Sequence, residues 1–153
     1  MAARAQRFSK VLVAASLVLV GAGISASRAA GQDAATKRSI KDGVYTELQA
    51  NRGEREYGRS CEHCHGVSLE GDAAKEIPTL VSDPFIRNWN GKNLKELFDL
   101  LSRSMPADKR GSLSARTYTD LIAYLLRVND FPSGTTALPD EPAGLEAISI
   151  EPK

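Results

Sequence analysis

Sulfur and imidazole are scarce in this chain of 153 residues, which has two cysteines, two histidines, two methionines and one tryptophan. A tetrahedral zinc site would have to take both cysteines and both histidines, and all four fall within positions 61–65. Structural zinc sites separate their ligand pairs by about a dozen residues, so this crowding argues against one. Neither sign of charge dominates, with 20 Lys+Arg against 19 Asp+Glu, so a basic footprint for nucleic acid is missing. The longest apolar run, residues 11–24, falls short of the ~20 residues that a membrane span normally needs. A βαβ pattern is also lacking, and with it the usual setting of a thiol–disulfide redox pair.

What is present begins with that apolar run. Arg4, Arg7 and Lys10 precede it, and Ser25-Ala26-Ser27-Arg28-Ala29-Ala30 follows. Basic, apolar and small-residue regions in this order predict a secretory signal peptide over residues 1–30, cleaved between 26 and 30, and hence a periplasmic protein. A retained anchor is the competing reading, which the shortness of the run disfavours. The first 30 residues hold four basic and no acidic residues, so the remainder carries 16 Lys+Arg against 19 Asp+Glu, a formal charge of −3. About 120 residues then remain, the length of one ordinary domain.

The densest chemistry lies in Cys61-Glu62-His63-Cys64-His65. A C-x-x-C-H run reads as a covalent c-type haem attachment site: two thiols about one helical turn apart add to the two vinyl groups, and the next residue offers an imidazole to the iron. Export fits this reading, because in bacteria such attachment takes place outside the cytoplasm. The same two cysteines could instead form a disulfide or half of a metal site.

Along the mature chain the pattern is of helices and loops. Residues 32–41 are polar and small, which predicts a mobile arm. A helix is expected from the 44–46 region to residue 60, broken or weakened by Gly53 and Gly58; Gly53, Tyr57 and Cys61 are spaced by four and share one face. Residues 66–85, with Gly66, Gly71, Pro78 and Pro84, read as a long turn-rich loop that wraps something or moves. Asn93 with Glu96 three residues on predicts a capped start, and Leu94, Leu97, Phe98 and Leu101 form the apolar face of a helix ending near Arg103. Pro106 forbids simple continuation. Ser114 caps a last helix to about Val128, with Tyr118, Leu121, Ile122, Leu125 and Val128 as a core stripe. From Phe131 onward Pro132, Pro139, Pro142 and Pro152 predict an extended, loosely docked tail, with Leu145, Ile148 and Ile150 as anchors.

Met105 is the single methionine left once the leader is removed, 40 residues after His65, in an interhelical loop and followed by Pro106. A lone methionine is ordinarily a filler of core gaps. Beside a haem site it becomes the candidate sixth ligand, because His/Met ligation fills the iron and suits electron transfer. Trp89 is the sole tryptophan, and its indole N–H needs an acceptor if buried, a haem propionate or a backbone carbonyl. Lys92, Lys95, Lys109 and Arg110 flank the methionine loop, where they are either a solvated surface or a guide for an acidic partner.

In these residues the mature chain resembles the monohaem His/Met cytochromes c. Gly53 and Tyr57 match the glycine and aromatic of that family's N-terminal helix, and Leu121-Ile122-Ala123-Tyr124-Leu125 matches the face of the C-terminal helix that crosses it. Pro78-Thr79-Leu80 resembles the family's Pro-x-Leu, whose proline carbonyl accepts the Nδ1 proton of the proximal histidine. A narrower likeness runs through His65-Gly66, Leu69-Glu70-Gly71, Phe85, Trp89, Met105-Pro106 and Asn129-Asp130-Phe131-Pro132. It points to the cytochrome c domains and subunits that accompany bacterial quinoprotein dehydrogenases, which commonly have Gly where this chain has Asp130.

The resemblance implies an all-α, small cytochrome c fold of about four helices and loops around one covalent haem c. The domain covers residues 45–131, between a polar arm at 31–44 and a Pro-rich tail at 132–153. Cys61 and Cys64 would hold the haem and His65 and Met105 would be the axial ligands, with Pro78, Leu80 and Trp89 in the pocket. His63 would face solvent. The expected role is an electron carrier, not an enzyme, that accepts electrons from a quinoprotein or other dehydrogenase and passes them to an oxidase or another cytochrome, with no nucleic acid and no membrane span. Two other readings stay open: a five-coordinate haem enzyme or gas sensor in which Met105 does not stay bound, and a haem-free secreted binding domain with a Cys61–Cys64 disulfide.

Overall fold

The computed structural model describes residues 37–152, which fall within one compact unit. The expected leader and its cleavage site lie outside the described residues. Among the described residues no helix is long and apolar enough to cross a membrane.

Among the described residues, six helices and a two-residue strand pair make up the fold, which is all-α as expected: β1 (Arg38–Ser39), α1 (Glu47–Ser60), α2 (Glu62–His65), α3 (Ser82–Trp89), α4 (Leu94–Ser104), α5 (Ala115–Val128), α6 (Pro142–Leu145) and β2 (Ile148–Ser149). The helix starts are local chemistry. Thr46 and Asn93 each form a reciprocal capping box, with Gln49 and Glu96 respectively, and the Ser114 hydroxyl accepts from Thr117 N–H at 3.1 Å. The predicted helices at 94–103 and 114–128 agree with α4 and α5.

α1 runs unbroken through Gly53, against the expected break. Gly53 is buried where α1 crosses α5, and a Cβ there would collide with the Asp120 carbonyl and stand 2.9 Å from Tyr124 Cβ. The glycine costs helix propensity of about 1 kcal/mol, and the close crossing it permits offsets that. The crossing is locked by Tyr57 against Tyr124, ring centroids 5.3 Å apart, and by Arg52, whose guanidinium donates to both oxygens of Asp120 at 2.7 and 2.6 Å. This fork raises the Arg52 pKa and neutralises a carboxylate that is only 5 % exposed.

The segment read as one loop over 66–85 is loop only to Val81. A short 3-10 turn at Ala73–Lys75 interrupts it, and α3 begins at Ser82. Pro84 does not prevent this, because it falls in the first turn, where an N–H has no intrahelical acceptor to lose. Phe85 and Trp89, one turn apart on α3, pack with tilted rings, centroids 6.4 Å apart.

Both chain ends also depart from expectation. The described part of the arm is docked, with Ile40 and Val44 fully buried. The tail is neither extended throughout nor loose. α6 begins with Pro142, and β2 pairs in parallel with β1, Arg38 opposite Ile148 and Ser39 opposite Ser149. Ile150 exchanges backbone bonds with the α3–α4 turn, donating to Lys92 O at 2.8 Å and accepting from Gly91 N–H at 3.0 Å. Leu138, Leu145, Ile148 and Ile150 are all buried. The physical reason is pairing at long range: each of these stretches presents apolar side chains and backbone groups that are satisfied by the other and by the α3–α4 turn.

Candidate functional site

A cavity of about 550 Å³ opens between α1, α2, α4, α5 and the loop before α3, within the ~300–1,000 Å³ of cofactor sites. Cys61, Cys64, His65, Pro78, Leu80, Trp89 and Met105 all line it, so one space collects every residue that was expected to hold the haem or line its pocket. The rest of its wall is mostly apolar, with Leu97 and Leu101 from α4, Leu121 and Leu125 from α5 and Phe85 from α3.

The five-residue motif is folded tightly at the end of α1. Cys61 N–H donates to Tyr57 O at 2.9 Å, closing α1, and Cys61 O accepts from Cys64 and His65 N–H at 3.1 and 2.9 Å, opening α2. One helical turn thus separates the thiols, and both are unpaired. Burial above all, then Glu56 and Cys64, pushes the Cys61 thiol up to about 11. That direction disfavours the thiolate that disulfide exchange needs. His63, between the cysteines, is exposed.

His65 is only 8 % exposed, and its Nδ1 lies 3.1 Å from Pro78 O. A carbonyl can only accept, so Nδ1 is the donor, and in the neutral imidazole Nε2 is then the nitrogen with its lone pair available. The loop is shaped to deliver that carbonyl. Gly71 sits at φ +70°, its N–H donates to His65 O at 2.8 Å, and a Cβ on it would lie 2.7 Å from Pro78 O and against Ile77 O. Asn129, at the far end of α5, anchors the same loop by donating to Leu80 O at 3.0 Å and accepting from Ser82 N–H at 2.8 Å.

Met105 is the C-cap of α4, half-buried, its N–H donating to Leu101 O at 2.9 Å. Its carbonyl accepts the Tyr118 hydroxyl at 2.8 Å. Trp89 carries a cation on its face, Lys92 Nζ at 4.7 Å from the ring centroid. Lys95 is occupied by Asp99 at 2.8 Å, while Lys92, Lys109 and Arg110 are exposed. Sequence reasoning took Tyr118 for core packing and gave Asn129 and Lys92 no place in the site. A hydroxyl within an apolar stripe was the available signal for Tyr118, since a buried Tyr O–H needs an acceptor.

The donor set fits haem c: an apolar slot, two thiols one turn apart, an imidazole with a fixed tautomer and a thioether. The family model described as "Cytochrome C oxidase, cbb3-type, subunit III" matches residues 48–125, just over half of the chain, and the chain belongs to this family of c-type cytochrome domains. No curated protein and no solved structure is matched. As a cytochrome c domain the protein carries covalently bound haem c, transfers electrons and works with redox protein partners.

Proposed function

We propose that this protein is an exported, periplasmic monohaem cytochrome, released from its leader between residues 26 and 30, in which Cys61 and Cys64 hold haem c and His65 and Met105 are its axial ligands. The observation that carries the reading is the single cavity lined by both thiols, the imidazole and the thioether. When bound, haem c supplies a one-electron Fe(III)/Fe(II) couple. The chain's own residues do the rest. Pro78 O fixes the His65 ring and its proton, leaving Nε2 toward the iron. Leu80, Leu97, Leu121 and Leu125 exclude water and lower the local dielectric, which tunes the potential. Trp89 and Lys92, whose ammonium lies over the indole, would offer an N–H and a positive charge to haem propionates.

The donor is proposed to be a dehydrogenase, of quinoprotein type on the motif likeness, and the acceptor an oxidase or another cytochrome. The oxidase named in the family's description supports the acceptor side. Peroxidase-type haem staining of a denaturing gel tests the attachment, with stain expected from protein made beside a haem-attachment system and lost in the double variant Cys61→Ser, Cys64→Ser. An unstained wild-type band overturns it. A methionine–iron charge-transfer band in the oxidised spectrum, lost in Met105→Leu, tests the ligand and separates the carrier from a five-coordinate enzyme or sensor. Fractionation of cells expressing the full chain tests export.

A further inference from the structure

Met105 is gripped through both of its peptide groups. Its N–H closes the last turn of α4 on Leu101 O, and its carbonyl accepts the Tyr118 hydroxyl from α5. Beyond it the chain runs through an exposed stretch, residues 107–112, whose backbone bonds are short-range turns such as Lys109 N–H to Pro106 O at 3.0 Å. Such turns do not restrain where the stretch as a whole lies. Tyr118 therefore supplies the tie between the end of α4 and the helix behind the cavity. It is itself well seated: 2 % exposed, one turn inside the Ser114 cap, with its ring edge-on to Phe98 at 5.9 Å and 78°.

We infer that Tyr118 is a positioning residue that holds Met105 in the cavity and resists its displacement by small ligands. The inference rests on Met105 being the sixth ligand. In this inference, displacing the thioether shifts the Met105 peptide with it. Breaking the tyrosine–carbonyl bond is part of that motion, so its loss should favour displacement by about two- to tenfold, the net worth of one such bond.

The test uses the haem-loaded mature protein and imidazole as the entering ligand, with displacement read from loss of the methionine–iron charge-transfer band of the oxidised form. Tyr118→Phe keeps the ring and the Phe98 contact and removes the bond. Tyr45→Phe is the matched control, because Tyr45 makes the same kind of bond, its hydroxyl donating at 2.7 Å to Phe131 O, outside the cavity lining. Imidazole affinity about two- to tenfold higher in Y118F, with Y45F at the wild-type value, supports the role. Equal affinity in Y118F and wild type, or an equal rise in both variants, overturns it. Should Y118F fail to accumulate, Phe98→Leu loosens the seat of the ring while keeping the hydroxyl: a rise in affinity supports the role and a wild-type value overturns it. A wild type with no charge-transfer band overturns the ligand assignment itself, and is thereby told apart from failure of the Tyr118 role alone.

Discussion

Between residues 48 and 125, the span of the family match, helices meet through side chains around a space left for a cofactor: Gly53 under Asp120 and Tyr124, Arg52 forked onto Asp120, Tyr57 on Tyr124. Outside that span the described terminal stretches close on each other and on the α3–α4 turn largely through backbone bonds, with Arg38 N–H to Ala147 O, Ile40 N–H to Ser149 O and Ile150 N–H to Lys92 O at 2.8–3.0 Å. The side chain of Gln49 joins this second layer by mimicking a strand, accepting from Leu138 N–H at 2.7 Å and donating to Leu138 O at 3.0 Å. α4 belongs to both regions. Leu97 and Leu101 line the cavity, whereas Leu94, fully buried, is not among its lining residues, and α6 and β2 pack on this helix. The first region encloses the chemistry, and the second braces the helix that ends in Met105 and meets the cavity wall at the backbone of Lys92, which accepts from Ile150 N–H.

The sharpest break in the frame is Gly53→Ala. The added Cβ meets backbone at Asp120, which cannot rotate away, so the α1–α5 crossing must open. A destabilisation above about 3 kcal/mol is expected, with little haem-loaded protein recovered, by denaturant unfolding and haem staining. Arg52→Ala attacks the same crossing less directly. It strands the Asp120 carboxylate, 5 % exposed, and a loss of about 2–4 kcal/mol is expected from unfolding titrations. Its double variant with Asp120→Asn should recover part of that loss, because no buried charge is then left alone.

Leu145→Ala tests the other side of the comparison. Leu145 in α6 is fully buried, so truncation is expected to cost about 2–4 kcal/mol. The haem spectrum and the charge-transfer band should nevertheless stay as in the wild type. A changed band would show that the terminal layer reaches the site through α4, and the division into two regions would fail.

The frame was legible in the sequence because its signals are local or chemically rare. Asn93 with Glu96, and Ser114 with Thr117, are caps within one turn, and Cys61, Cys64, His65 and Met105 stand out because cysteine, histidine and methionine are so few. The terminal layer was not legible, since its content is pairing between residues such as Arg38 and Ser149, 111 positions apart, in stretches whose prolines and small residues read as loop. α3 was hidden by Pro84, a breaker everywhere except in the first turn. Asp130 shows a milder conflict: its φ of +57° is a conformation for which glycine is the easier residue.

Tyr45 joins the two regions and gives the smallest effect. It sits just before α1, is 1 % exposed, and its hydroxyl reaches Phe131 O just after α5. Burial first, and then Glu47, push its pKa up to about 12. The neutral phenol is thus the form that the folded state keeps. Its contribution to stability is complete below the unfolded value near pH 10, and falls as pH rises from about 10 to about 12, where the unfolded chain gives up a proton that the folded one retains. Buried Tyr57 and Tyr124, also shifted upward, add to the same alkaline decline. Tyr45→Phe should cost about 1 kcal/mol at neutral pH and make the decline shallower above pH 10, as measured by urea unfolding across that range. An unchanged slope would mean that the bond opens before the tyrosine ionises, so that the seam between the cavity frame and the terminal layer is looser than the 2.7 Å contact implies.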